Sequence, residues 1–204
     1  MSILLIRHGE TALNVARTLQ PLETPLSERG RAQARALAAR LAGAGIVAIL
    51  SSDQPRALQT AQAIAAATGL PVETSELLRE RNFGDLRGLP YDTLGFDPLT
   101  REDAPANGES GAMFRDRVAA AFAHALARRR TLNGPLAVVT HGLVIGQLAA
   151  RHLRLADMAA LPPSWANTSL TVVGAEPPHS VELLNCCAHL DAGPRANAAA
   201  LSGG

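Results

Sequence analysis

An arginine and a histidine stand side by side at positions 7 and 8, directly after the apolar run Ile3, Leu4, Leu5 and Ile6 and directly before Gly9. Such a run reads as a buried strand, and neighbouring side chains on a strand point to opposite faces. Arg7 and His8 therefore reach one site only where the backbone turns, and Gly9 permits a turn. The pattern recurs along the chain. Ser51, Ser52, Asp53 and Arg56 follow the apolar run 46–50; Arg79, Glu80 and Arg81 follow a short run that begins at Val72; Thr140, His141 and Gly142 follow the run 136–139. In open α/β sheets ligands bind outside the carboxyl ends of the strands, so two histidines, several arginines and a glutamate are expected at one edge.

Two histidines alone could suggest a metal. The chain has no His-Glu-x-x-His sequence and no cysteines at ligand spacing, and arginines at close range repel a dication, so neither metal nor cofactor is expected. Guanidinium groups favour a dianion instead: their planar forks match phosphate oxygens and stay charged at any working pH. Phosphoryl transfer needs a positioned nucleophile, positive charge around the equatorial oxygens and an acid for the leaving oxygen, which histidine, arginine and glutamate supply. Gly142, opening a helix after His141, is expected to add backbone N–H groups aimed at the anion. Each residue also has a bland reading. Either histidine could be a satisfied core residue, Arg56 a surface arginine, Glu80 the partner of Arg79 or Arg81, and Ser51 and Ser52 helix caps; all of these would have to hold at once at one sheet edge.

The elements that must position these groups alternate. The run 3–6 is read as a strand. Ser27 is read as the N-cap of a helix carrying Ala34, Leu37, Ala38 and Leu41 as far as Gly43, and Asp53 as the cap of a helix reaching Thr68, with Gly69 as its stop. Helices are expected over 112–130 and 143–153, and late strands over 170–173 and 181–184. The alternation predicts an α/β fold, a three-layer α/β/α sandwich around a mainly parallel central sheet. Residues 84–111 hold Pro90, Pro98 and Pro105 without an apolar period, and are expected to form a lid or substrate loop of a single domain over 1–191. Residues 192–204 are expected to be a flexible tail.

The 204 residues are 47% hydrophobic and carry a net charge of +1, which leaves no global field for nucleic acid or a membrane surface. All 19 basic residues are arginine, so only arginines placed beside other chemistry count. Cys186 and Cys187 are adjacent and form no disulfide framework; with no export signal, a cytoplasmic location is expected. The uncharged stretch 132–150 is broken by Asn133, Gly134, Pro135, His141 and Gln147, and is rejected as a membrane span.

Four motifs in order, LIRHGET with Asn14, SSDQPRALQTA at 51–61, LRERNFGDLRG at 78–88 and VVTHG at 138–142, resemble the histidine phosphatase superfamily, also called the phosphoglycerate-mutase-like family. The resemblance runs from residue 3 to about residue 190 and implies an α/β sandwich and a metal-free cycle through a phosphohistidine. It implies His8 as the phosphorylated nucleophile, Arg7, Arg56 and His141 as the pocket for the phosphoryl group, Glu80 as the acid for the departing oxygen and Asn14 as a further phosphate contact. Arg81 keeps anion-binding potential.

The sequence departs from the family pattern at LQPLETPLS, one residue shorter, with Pro21, which has no N–H, near the usual glycine and Glu23 near the usual aspartate. It also lacks the longer basic insert of the mutases, with only Arg87 and Arg101 between Gly84 and Gly108. The phosphatase branch is therefore the expectation: a histidine acid phosphatase-type enzyme acting on a small phosphorylated metabolite. NGES at 107–110 resembles the loop before the long helix in that branch, where Glu109 and Ser110 either contact substrate or simply start the helix. The alternatives are phosphoglycerate mutase-type phosphoryl transfer and a non-catalytic phosphate-binding module. The sequence names neither substrate nor oligomeric state.

Overall fold

Along β1 (Ser2–Arg7) the side chains of Ile3 and Leu5 fall on one side of the sheet and those of Leu4 and Ile6 on the other, all four buried. A strand buried on both faces needs helices above and below it. The computed structural model, which describes residues 2–158 and 161–190, provides them. In chain order β1 is followed by α1 (Ala12–Val15), α2 (Glu28–Leu41), β2 (Ala48–Ser51), α3 (Pro55–Thr68), β3 (Val72–Thr74), α4 (Gly111–Arg130), β4 (Leu136–Thr140), α5 (Gly142–Arg151), β5 (Leu170–Gly174) and β6 (Val181–Cys186). The tail expected over 192–204 lies outside the described residues. Among the described residues no helix is long and apolar enough to cross a membrane.

The sheet order is β3-β2-β4-β1-β5-β6. The first four strands in that order are mutually parallel, while β5 runs antiparallel to β1, and β6 antiparallel to β5. Helices α4 and α5 cover one face, where Phe114, Val118, Val144 and Ile145 meet Ile3, Leu5, Leu136 and Val138. Helices α2 and α3 cover the other, with Leu37, Leu41, Ala61 and Ile64 against Leu4, Ile6, Ile49 and Val139. The result is the expected α/β sandwich.

Ser27 caps α2 as expected, its side chain accepting from the Gly30 N–H, and α3 stops at left-handed Gly69 (φ 72°). The expected Asp53 cap is displaced by one residue. Gln54 is the N-cap and Pro55 takes the first helical position, where its missing N–H costs nothing. Asp53 instead accepts from Arg79 Nε at 2.8 Å. Gly9 acts through close approach: a Cβ there would lie 2.6 Å from the Gly30 carbonyl oxygen, and one on Gly30 would lie 1.9 Å from that of Glu10. Two glycines thus let the turn after β1 cross the first turn of α2.

Residues 84–111 hold short 3-10 turns at Gly84–Leu86 and Tyr91–Thr93 and are tied to the segment after α1. The Gly88 N–H donates to Leu19 O at 2.6 Å and the Tyr91 N–H to Arg17 O at 2.9 Å.

Candidate functional site

Sheet register brings the histidines together. Strands β1 and β4 are adjacent and parallel with Arg7 opposite Thr140, so the residues that follow, His8 and His141, leave the sheet side by side. Their ring centroids are 5.1 Å apart and the His8 N–H donates to Thr140 O at 3.0 Å. Strand β2 pairs with the other edge of β4, Ser51 opposite Val139, which sets Ser52 against His141. The first turn of α3 adds Arg56, and the segment after β3 brings Glu80. Arg7, His8, Arg56, Glu80 and His141 are all at most 4% exposed.

A hydrogen bond fixes the tautomer of His8. His8 Nδ1 lies 2.7 Å from Gly9 O, and a carbonyl can only accept, so Nδ1 carries the proton and Nε2 holds the lone pair of the neutral ring. The Ser52 hydroxyl accepts from the Gln54 N–H at 3.3 Å and lies 2.9 Å from His141 Nε2, while His141 Nδ1 has no hydrogen-bond partner among the described residues. Burial first, and then the charges of Arg56, His8 and Arg7, hold His141 well below the ordinary histidine range. The ring is neutral, with Nδ1 uncommitted.

Arg7 and Arg56 are buried cations. Desolvation lowers both to about 10, partly offset by the nearby Glu80, so both remain charged at neutral pH. Arg7 Nη1 is held by Trp165 O and Arg56 Nη2 by Gln54 Oε1 at 2.8 Å, while Arg56 Nε has no partner among the described residues. Pro21, although it lacks an N–H, serves through its carbonyl, 3.5 Å from Arg56 Nη1. Asn14 is buried, its Oδ1 accepting from the Thr11 N–H at 3.1 Å while Nδ2 has no partner among the described residues.

Glu80 pairs with neither flanking arginine. Its Oε1 accepts from the Arg81 N–H at 3.0 Å and its Oε2 from the Leu143 N–H at 3.1 Å, while Arg79 turns to Asp53 and Glu76. Burial raises the Glu80 carboxyl against the lowering effect of those two N–H groups and of Arg56 and Arg7. A carboxyl that keeps its proton longer than usual is suited to general acid work.

Gly142 begins α5 as expected, but the Leu143 N–H of that first turn is spent on Glu80. Arg81 is drawn away from the histidines: its Nη2 donates to Arg101 O at 2.6 Å and Glu109 O at 3.3 Å, and it lines a separate cavity of about 430 Å³ with Gly142, Leu143 and Trp165. Glu10 faces α2 and accepts from Ser27 Oγ at 3.0 Å. Ser52 serves His141 rather than capping a helix. Ser110 does cap α4, and Glu109 forms a two-pronged pair with Arg117 at 2.6 and 2.7 Å while accepting from the Asn82 N–H at 2.8 Å.

Sequence reasoning missed Gln54, Arg117, Trp165 and Asn167. Arg117 Nη1 donates to Leu77 O and Arg79 O, and its Nη2 to Glu80 O at 3.2 Å, so it holds the glutamate segment. Asn167 Nδ2 donates to His8 O at 3.1 Å and approaches Asn14 Oδ1 at 3.3 Å. Because β5 is antiparallel, the residues at the active edge precede it rather than follow it. Among the described residues no group of three or more His, Cys, Asp and Glu side chains is placed to share a metal ion.

Comparison with known proteins agrees with this geometry. A family model described as the histidine phosphatase superfamily (branch 1) matches residues 3–186. A probable phosphoglycerate mutase of Yersinia pestis (strain Pestoides F) is 36% identical over 183 residues, covering 85% of this chain and 84% of the relative. Among solved structures, a mycobacterial glucosyl-3-phosphoglycerate phosphatase superposes with TM-score 0.75 at 32% identity, covering 91% of this chain and 98% of that one. YhfR of Bacillus stearothermophilus gives TM-score 0.79 at 30% identity, covering 93% and 99%.

Proposed function

The chain belongs to the histidine phosphatase superfamily, and we propose that within it the protein is a metal-independent phosphatase that hydrolyses small phosphomonoesters through a phosphohistidine at His8. The observation that carries this reading is the His8 tautomer: with Nδ1–H tied to Gly9 O, the Nε2 lone pair is the ring's only nucleophilic site. That lone pair attacks phosphorus while the bond to the ester oxygen breaks. Arg7, Arg56 and the His141 Nδ1–H gather the three equatorial oxygens, and Asn14 Nδ2 adds a neutral donor. Glu80 gives its proton to the leaving oxygen. In the second half, the Glu80 carboxylate takes a proton from water as the water oxygen attacks phosphorus, the P–N bond breaks, and phosphate leaves with His8 neutral again.

Two buried cations beside one carboxyl that resists ionisation make a site short of negative charge. A phosphate monoester dianion supplies it. The test is hydrolysis of p-nitrophenyl phosphate in chelator, with acid-labile phosphate trapped on wild-type protein and absent from His8→Ala; full activity in that variant refutes the assignment. The named mutase relative favours a second reading, phosphoryl transfer within one sugar acid. The short segment 84–111, without a long basic insert, favours hydrolysis. With 3-phosphoglycerate and a bisphosphorylated activator, hydrolysis yields free phosphate and the mutase reading yields the isomer.

A further inference from the structure

A second cavity, about 340 Å³, opens beside the phosphoryl site; its lining includes Gln54, Glu80, Asn82 and Arg87 and the carboxylates of Glu76 and Glu109. Two of these belong to the site as well: Gln54 holds Arg56, and Glu80 is the proposed acid for the leaving oxygen. On the proposed chemistry, what occupies this cavity is the leaving group. Its volume suits a group of few heavy atoms, at the low end of the 300–1,000 Å³ of about drug-sized sites.

Charge singles out Arg87. Three arginines line the cavity. Arg79 is paired with Asp53 and Glu76, and Arg117 with Glu109. Arg87, by contrast, makes no side-chain hydrogen bond or ion pair among the described residues, although it is half-buried. Burial and Arg79 disfavour its charge while Glu109 favours it, and that charge in turn bears on Arg56; both Glu109 oxygens are already taken, by Arg117 and the Asn82 N–H. The other arginine of segment 84–111 that could serve is already placed, since Arg101 stacks over the Phe96 ring at 4.8 Å. A half-desolvated guanidinium whose neighbouring carboxylate is committed elsewhere keeps its donors for an incoming anion. The phosphoryl dianion is gathered by Arg7 and Arg56, so the anion for Arg87 must be a separate one.

We propose that Arg87 is a specificity-determining residue that binds a second anionic group, carboxylate or phosphate, on the leaving-group side of the substrate. This rests on the phosphatase reading and adds to it the substrate class: a phosphomonoester of an acid rather than of a neutral alcohol.

The experiment compares esters on one three-carbon skeleton: 3-phosphoglycerate (a carboxylate), 2,3-bisphosphoglycerate (a second phosphate as well) and glycerol 3-phosphate (a hydroxymethyl in place of the carboxylate). Each competes against p-nitrophenyl phosphate in wild type, Arg87→Gln and Arg87→Lys, and calorimetric titration supplies the affinity wherever turnover is absent. The expected result is that wild type favours 3-phosphoglycerate over glycerol 3-phosphate at least tenfold, that Arg87→Gln brings the ratio close to one, and that Arg87→Lys keeps part of it. A further gain for the bisphosphate that vanishes in Arg87→Gln identifies phosphate as the preferred anion; a preference already complete with 3-phosphoglycerate identifies carboxylate. A wild type without preference, or a ratio unchanged in Arg87→Gln, overturns the proposal. In that case p-nitrophenyl phosphate hydrolysis still stands for the phosphatase reading, whereas loss of that reading shows as no hydrolysis of p-nitrophenyl phosphate at all.

Discussion

Glu80→Gln separates the chemistry of the carboxyl from its placement. The carboxylate is held by two backbone donors, Arg81 N–H and Leu143 N–H, one on each oxygen. A glutamine keeps one acceptor oxygen and turns its NH₂ toward the other donor, so the positional loss is one hydrogen bond, about 1 kcal/mol with some desolvation added. The chemical loss is larger. A positioned general acid contributes about 10²–10⁴ in rate, equivalent to about 3–5 kcal/mol of barrier. That loss depends on how badly the leaving oxygen needs a proton. An alkyl phosphate should therefore lose about 10²–10⁴ in kcat/KM, while p-nitrophenyl phosphate, whose phenolate leaves unaided, should lose about tenfold or less. On the proposed mechanism Glu80 also draws the proton from water in the second step, so the variant should stall after the first. Rapid-quench mixing with p-nitrophenyl phosphate should then give a burst near one equivalent of nitrophenolate, matched by acid-labile phosphate on the protein. Equal losses for both leaving groups with no burst would sink the assignment of Glu80 as the acid.

The neutral His141 carries a pH signature. Its folded-state pKa lies well below the ordinary 6.5, so below that pH the unfolded chain binds a proton the folded protein refuses, and stability falls on acidification. The raised Glu80 acts in the opposite direction, favouring the folded state while it stays protonated above its usual range. Urea unfolding of wild type and His141→Gln between pH 5 and 7 isolates the histidine: the variant should lose a dependence approaching about 1.4 kcal/mol per pH unit on the acid side. Parallel curves would show that His141 titrates normally. For Arg117, whose pair with Glu109 is at most 17% exposed and whose forks hold the carbonyls of Leu77, Arg79 and Glu80, replacement by Met should cost about 3 kcal/mol in urea unfolding. It should also lower kcat more than it raises KM, because it frees the acid's backbone without touching the phosphoryl pocket; unchanged kcat would mean the clamp is purely structural.

Much of this site could be read before the fold was known because parallel strands make a simple rule: chemistry follows the carboxyl end. Arg7 with His8, Thr140 with His141, Ser52 and Glu80 obey it, and the β1–β4 register explains why the two histidines meet. The rule fails at β5. An antiparallel strand delivers the residues before its start to the same edge, so Trp165 and Asn167, neither of which carries a charge or sits in an apolar-run motif, had no signal in the sequence. Asp53 misled for a related reason: Asp before an apolar-periodic segment is a common cap, but Pro55 moves the helix start and an arginine 26 residues later takes the carboxylate. Arg81 shows the limit most clearly. Its place beside Glu80 looked like anion chemistry, yet the backbone there sends consecutive side chains to different cavities. Arg87, farther along the same motif at 78–88, lines the cavity that Glu80 lines. Proximity along the chain predicts function only where the local backbone is known, and in segment 84–111, with no apolar period to fix it, backbone contacts to Arg17 and Leu19 set the path of the chain.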